Sequence, residues 1–137
     1  MTPRRIPVFF YGLFMDAEVL RTKGVSPTNI RWASVPGFAL RIGQRATLLP
    51  EPLSRAHGVL MELTHDKIDR LYSETSVSMY RPEPVMAETH EGSPVPALCF
   101  NLPTPPTPVE SNVAYAEKLR ALAHQLGLPP DYIRRIG

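Results

Sequence analysis

The sequence predicts an α+β protein: a small mixed, mostly antiparallel β-barrel or strongly curved sheet with flanking helices. Three observations point that way. Short apolar runs rich in β-forming residues fill the first two-thirds of the chain. The 16 prolines gather between those runs, which breaks the chain into short segments joined by stiff turns. The last third instead repeats its apolar residues at helical spacing.

The opening strand is Ile6 to Phe10, and it stops at Tyr11-Gly12. Asp16 then caps a short helix that ends near Lys23 and Gly24. A buried strand that passes through a glycine into a helix start leaves backbone N–H groups facing open space. Such a place suits an anion or an oxyanion, although isolated strand-Gly-helix turns are also common as plain core turns.

Arg31 to Val35 reads as a strand turned at Pro36-Gly37, with Phe38 to Ile42 as its partner. Ala46 to Leu49 is a separate short strand closed by Pro50-Glu51-Pro52, and Ala56 to Leu63 is the next one. Thr64 opens a helix over His65 to Tyr72 that buries Ile68, Leu71 and Tyr72. Tyr80 to Ala87 and Val95 to Leu102 form a hairpin across Thr89 to Ser93. Residues 103 to 111 hold four prolines and make a stiff crossing loop. Asn112 caps the last long helix, in which Tyr115, Leu119, Leu122 and Leu126 share one face and Gly127 is the stop. That face packs on the sheet or, alternatively, forms a dimer surface. Pro129-Pro130-Asp131 opens a terminal turn. The 137 residues read as a single domain with a core over 6–102 and a helical segment over 112–136.

Composition narrows the function. Apolar residues make up 43% and charged residues 20%, and the net charge is only +2, so no basic face for nucleic acid is expected. No apolar run is long enough for a membrane span. Arg4-Arg5 precede only a short apolar run, so no signal peptide is expected and a cytoplasmic protein is the default. The single cysteine, Cys99, lies in an apolar run and reads as a small buried hydrophobe. His57, His65, His90 and His124 are scattered without metal-ligand spacing, so no metal is expected. No phosphate-binding loop or nucleophile elbow is present.

Carboxylates remain, and Glu74 stands out. It lies just past a helix, after Leu71-Tyr72 and before a loop into a strand. Screening by Tyr72 and that loop would raise its pKa and suit it to proton transfer, whereas an exposed loop residue is the plainer alternative.

Four stretches in order now carry a resemblance. Phe10-Tyr11-Gly12-Leu13-Phe14-Met15-Asp16 is similar to the Tyr-Gly-Ser/Thr-Leu-Met signature of the gamma-glutamylcyclotransferase-like family. Arg45 to Pro50 followed by Ala56 to Leu63 resembles its strand, loop and Gly-x-x-Tyr/Met-Glu-Leu pattern. The helix Ile68 to Tyr72 leads to Glu74, and Tyr80-Arg81 to Val85 resembles its Tyr-Arg-x-x-x-Val strand. The resemblance implies a small barrel whose cavity holds a gamma-glutamyl amine or amino acid. The substrate's α-amino group would attack its own γ-carbonyl to give 5-oxoproline and a freed amine, with no cofactor. Tyr11, Gly12, Leu13 and Phe14 would form the binding turn, Glu74 would be the catalytic proton shuttle, and Tyr80 would support the cavity. The small-molecule substrate would be the partner of a monomer or homodimer.

The sequence departs from the family pattern twice. Leu13 stands where relatives have Ser or Thr, which leaves only backbone donors. An ungapped alignment puts Thr75 at the catalytic position, and a one-residue deletion puts Glu74 there, the only acid between positions 71 and 80. These departures keep open a second reading: a catalytically silent, small-ligand-binding member of the same fold.

Overall fold

The computed structural model describes residues 3–137. Its centre is a closed barrel of five strands in the order β1-β3-β2-β4-β5. The strands are β1 (Arg5–Phe10), β2 (Thr28–Ile42), β3 (Ala46–Thr64), β4 (Arg81–Glu88) and β5 (Pro94–Asn101). Four helices flank it: α1 (Ala17–Thr22), α2 (His65–Leu71), α3 (Val113–Leu126) and α4 (Pro130–Arg134). All neighbouring pairs are antiparallel except the closing one, where β1 meets β5 in parallel with Val8 opposite Leu98. The parallel β1–β5 pair closes the sheet on itself, although the first half of β3 keeps a backbone partner on one side only.

The expected turn at Pro36-Gly37 is not a turn. Residues Thr28–Ile42 form one strand, and the chain reverses later, at Gly43 to Arg45, with Ile42 opposite Ala46. Likewise Ala46 to Leu49 and Ala56 to Leu63 belong to the single strand Ala46–Thr64. The prolines are tolerated because the ribbon is irregular there. Pro36 pairs with Arg55 and Phe38 with Pro50, so residues 51–54 of β3 oppose Gly37 alone. Gly37 has φ +84°, and Leu53 at the tip of the excursion is 97% exposed. A bulge needs fewer ladder donors than a regular pair, and that is where proline fits.

Thr64 opens α2 without a side-chain capping bond, its hydroxyl donating to Asp66 Oδ1 instead, whereas the signals of α1 and α3 match their elements. The Asp16 side chain accepts from Glu18 N at the start of α1, and Gly24 closes it at φ +78°. Asn112 accepts from Tyr115 N at the start of α3, and Gly127 ends it in the left-handed region. Within α3, Leu119, Ala116 and Ala123 are buried in the common core, with Tyr115, Leu122 and Leu126 packed at its margin. That core also takes in Val8, Phe9, Leu20, Leu60, Met61 and Leu71.

Side chains seal the barrel where the backbone ladder runs out. The first half of β3 has β2 on one side only. On its other side the buried Asn101 Oδ1 accepts from Leu48 N at 3.2 Å, and Leu102 N donates to Thr47 Oγ1 at 2.9 Å. The proline-rich crossing loop then holds the β2–β3 turn: Pro106 packs against Gly43, and Asn112 Nδ2 donates to Gln44 O at 3.0 Å.

Candidate active site

The end of β1 builds the site. Tyr11 and Gly12 lead out of the barrel, Gly12 in extended conformation, and Leu13–Met15 form a single 3₁₀ turn. The carbonyls of Gly12 and Leu13 accept from Met15 N and Asp16 N, so the turn is closed by its own backbone. The first N–H groups of such a turn, here those of Leu13 and Phe14, have no partner within it. Gly58 lets β1 reach this point: a Cβ there would stand 2.1 Å from the Phe10 carbonyl oxygen.

A cavity of about 320 Å³ opens beside this turn. That is at the small end of pockets that take small molecules, about 300–1,000 Å³. Tyr11, Gly12, Leu13 and Phe14 line it, together with an aromatic wall of Tyr72, Tyr80, Phe100 and Tyr115. The aromatic wall is ordered by contact. Tyr72 stacks on Phe100 with centroids 3.9 Å apart and planes 12° from parallel. Phe14 meets Phe10 and Tyr72 edge-on, at 6.2 and 6.0 Å. Such pairs contribute about 0.5–1.5 kcal/mol each beyond area burial, which favours a wall already in shape before a ligand arrives.

The phenols are held neutral. Burial pushes the Tyr11 and Tyr72 hydroxyls well above the ordinary tyrosine pKa, with Cys99 and Tyr80 nearby adding to it. Burial likewise raises Tyr80 and Tyr115. Two of these groups are committed to the frame. Tyr11 donates to Phe100 O at 2.7 Å, and Tyr80 donates to Ala46 O. Tyr115 reaches in from α3, and its hydroxyl faces the backbone N–H of Leu13. It brings a hydroxyl to a turn whose Leu13 side chain has none. Cys99 is fully buried behind the wall, and burial raises its thiol to about 12, as expected of a packing residue.

The rim is polar. Lys23, Gln44, Arg45 and Ser76 are the polar and charged residues that join the aromatic wall in the lining. Arg45 Nε donates to Ser76 O at 3.2 Å, which fastens the β2–β3 turn to the loop after α2. Glu74 sits in that same loop. It does not contribute to the cavity wall: its carboxylate is paired with Lys23, whose Nζ lies 2.6 and 2.8 Å from the two Glu74 oxygens. Both side chains are about a third exposed, at 33% and 36%. The structure thus gathers Tyr11, Gly12, Leu13, Phe14 and Tyr80 around one cavity and holds Glu74 at its edge through Lys23. Sequence reasoning missed Lys23, Arg45 and Tyr115. Only the first had a local cue, as a basic residue ending the helix that follows the turn.

The family model described as gamma-glutamyl cyclotransferase, AIG2-like, matches residues 8–119. The chain belongs to this family. The matched span runs from β1 into α3 and so includes every wall of the cavity. Solved structures share the cyclotransferase fold. One described as a gamma-glutamyl cyclotransferase is 20% identical with a TM-score of 0.75, covering 97% of this chain and 86% of its own. YkqA from Bacillus subtilis is 23% identical with a TM-score of 0.77, covering 96% of this chain and 52% of its own. A yeast gamma-glutamyl cyclotransferase specific to glutathione is 15% identical with a TM-score of 0.66, covering 96% and 93%. At these identities the likeness is one of fold. Among curated proteins, none matches the chain.

Proposed function

We propose that this cyclotransferase-family chain converts a gamma-glutamyl amine or amino acid into 5-oxoproline and a free amine. One observation carries the reading: in a chain of this family, a small preformed cavity borders a glycine-led turn and has a carboxylate at its rim. The reaction asks little of a protein. The substrate's α-amino nitrogen attacks its own γ-carbonyl carbon and forms the ring C–N bond. Glu74 takes the proton released from that nitrogen. As the original amide C–N bond breaks, Glu74 returns the proton to the departing nitrogen. The Phe14 N–H, which has no partner within the turn, helps to stabilise the oxygen that becomes negative between the two steps. Ring closure within one molecule gains most of its rate from orientation, which a fixed aromatic wall supplies. No step calls on a cofactor.

The test is a panel of gamma-glutamyl dipeptides and amines, with 5-oxoproline as the readout. Glu74→Gln lowers turnover by about 100-fold or more if Glu74 is the shuttle. Its stability changes little, since a pair this exposed contributes about 0–1 kcal/mol. Equal rates for wild type and Glu74→Gln would remove Glu74 from the mechanism.

Two observations favour a second reading, a silent binder of small gamma-glutamyl-like ligands. Leu13 brings no hydroxyl to the turn, and Glu74 is engaged by Lys23. Saturable ligand binding without 5-oxoproline from any member of the panel would select it.

A further inference from the structure

Lys23 caps the C-terminal end of α1, directly after the binding turn. Its ammonium faces three ways at once. It grips both oxygens of Glu74, it lines the cavity, and it stands 6.0 Å from the centre of the Phe14 ring. Arg45, the other cation of the lining, holds the Ser76 carbonyl. Among the described residues, the Lys23 ammonium donates to Glu74 alone.

From this geometry we infer that Lys23 is the receptor for the substrate's α-carboxylate and that the arriving carboxylate replaces Glu74 on it. The inference rests on the cyclotransferase reading. Every gamma-glutamyl compound carries an α-carboxylate one carbon away from its α-amino group. A carboxylate seated on Lys23 brings that amine to the same rim position that Glu74 occupies. Glu74, released from the ammonium, is then free to turn towards the amine and take its proton. The exchange keeps the charge balanced: Lys23 trades one carboxylate for another and is never left unpaired beside the aromatic wall. It is also inexpensive, because a pair about a third exposed is weakly held. Lys23 thereby sets specificity for a free α-carboxylate and prevents Glu74 from acting on an empty site.

Binding of 5-oxo-L-proline and of its neutral carboxamide separates this role from catalysis. Both carry the same ring, and they differ only in the charged group. Wild type binds the carboxylate roughly tenfold tighter than the amide, as expected for one charge-assisted contact. Lys23→Met brings the two affinities together by weakening only the carboxylate, and Lys23→Arg restores most of the difference. Glu74→Gln tightens 5-oxo-L-proline several-fold, since the internal competitor for Lys23 is gone, a change that a merely structural ion pair would not produce. Equal affinities in wild type, a preference that survives Lys23→Met, or no binding of either compound would each overturn the assignment. A parallel turnover assay with a gamma-glutamyl amine keeps the two readings apart. The binding pattern without 5-oxoproline formation retains Lys23 and removes the cyclotransferase reading. Turnover with a KM unchanged in Lys23→Met does the opposite.

Discussion

The Tyr115 hydroxyl lies directly over Gly12, so that a Cβ at residue 12 would stand 2.6 Å from it. A helix from the far end of the chain thus closes over the first turn, and the fit requires a missing side chain. Gly12 has φ −109°, which alanine adopts freely, so the constraint is contact and not backbone strain. Gly12→Ala is expected to displace Tyr115 from the Leu13 N–H. Stability should fall by less than about 1 kcal/mol, because the obstructing atom ends a flexible side chain. Ligand affinity and turnover should fall by about tenfold or more, since misplacing a positioning group by a fraction of its bond length is costly. Thermal melting beside a binding isotherm checks both.

Gly58 should behave differently. Its Cβ would meet the Phe10 carbonyl at 2.1 Å and the Phe9 ring at 3.0 Å, and the first of these is backbone. Gly58→Ala must push β1 off β3 and tilt the turn that follows. The expected loss is about 3 kcal/mol, at the upper end of what overpacking usually costs. Urea denaturation measures it, and a loss under about 1 kcal/mol would mean that the two strands slide apart easily.

Asn101 tests the side-chain seal of the barrel. It is 1% exposed, accepts from Leu48 N, and donates to Glu83 Oε1 at 3.3 Å. Asn101→Ala leaves the Leu48 N–H buried without a partner, at a cost of about 1–3 kcal/mol. Faster amide exchange at Leu48 than at Leu40 on the opposing strand would locate the opening at this seam.

Alkaline pH should unfold the protein cooperatively. All five tyrosines, Tyr11, Tyr72, Tyr80, Tyr115 and Tyr132, are raised by burial, Tyr132 to about 12, and Cys99 is raised to about 12 as well. Each keeps its proton when folded at a pH where the unfolded chain would lose it. Their contribution to stability is therefore complete below the ordinary Cys and Tyr values and is lost as pH rises from about 9 towards 12. Tyrosinate absorbance should rise together with the loss of circular dichroism, above the usual tyrosine midpoint. Ionisation of several tyrosines near pH 10 in a chain that stays folded would contradict this.

The sequence was legible where structure is made locally. Asp16, Gly24, Asn112 and Gly127 mark helix ends through contacts with their own neighbours, and each does so in the fold. Pro36-Gly37 misled because the same residues that make a turn also make a bulge, and only the partner strand decides between them. Residues 51–54 supply that decision by looping out opposite Gly37. The cavity's first wall was readable as a glycine-led turn. Tyr115 was visible only as one member of an apolar helical face, and nothing in that spacing says that its hydroxyl reaches Leu13. Lys23 and Glu74 lie 51 residues apart and meet only because α1 and the loop after α2 pack at one end of the barrel.

The parallel seam between β1 and β5 also sets an order of events. The β2–β3 and β4–β5 ribbons can zip outward from their own tight turns, which is fast. Val8 and Leu98 must instead find each other across nearly the whole core, and such distant pairings form slowly. On a ribosome β1 emerges first and then waits for β5 before the barrel can close. Tyr115 follows β5 in the chain, so the turn after β1 is complete only once α3 has docked over it.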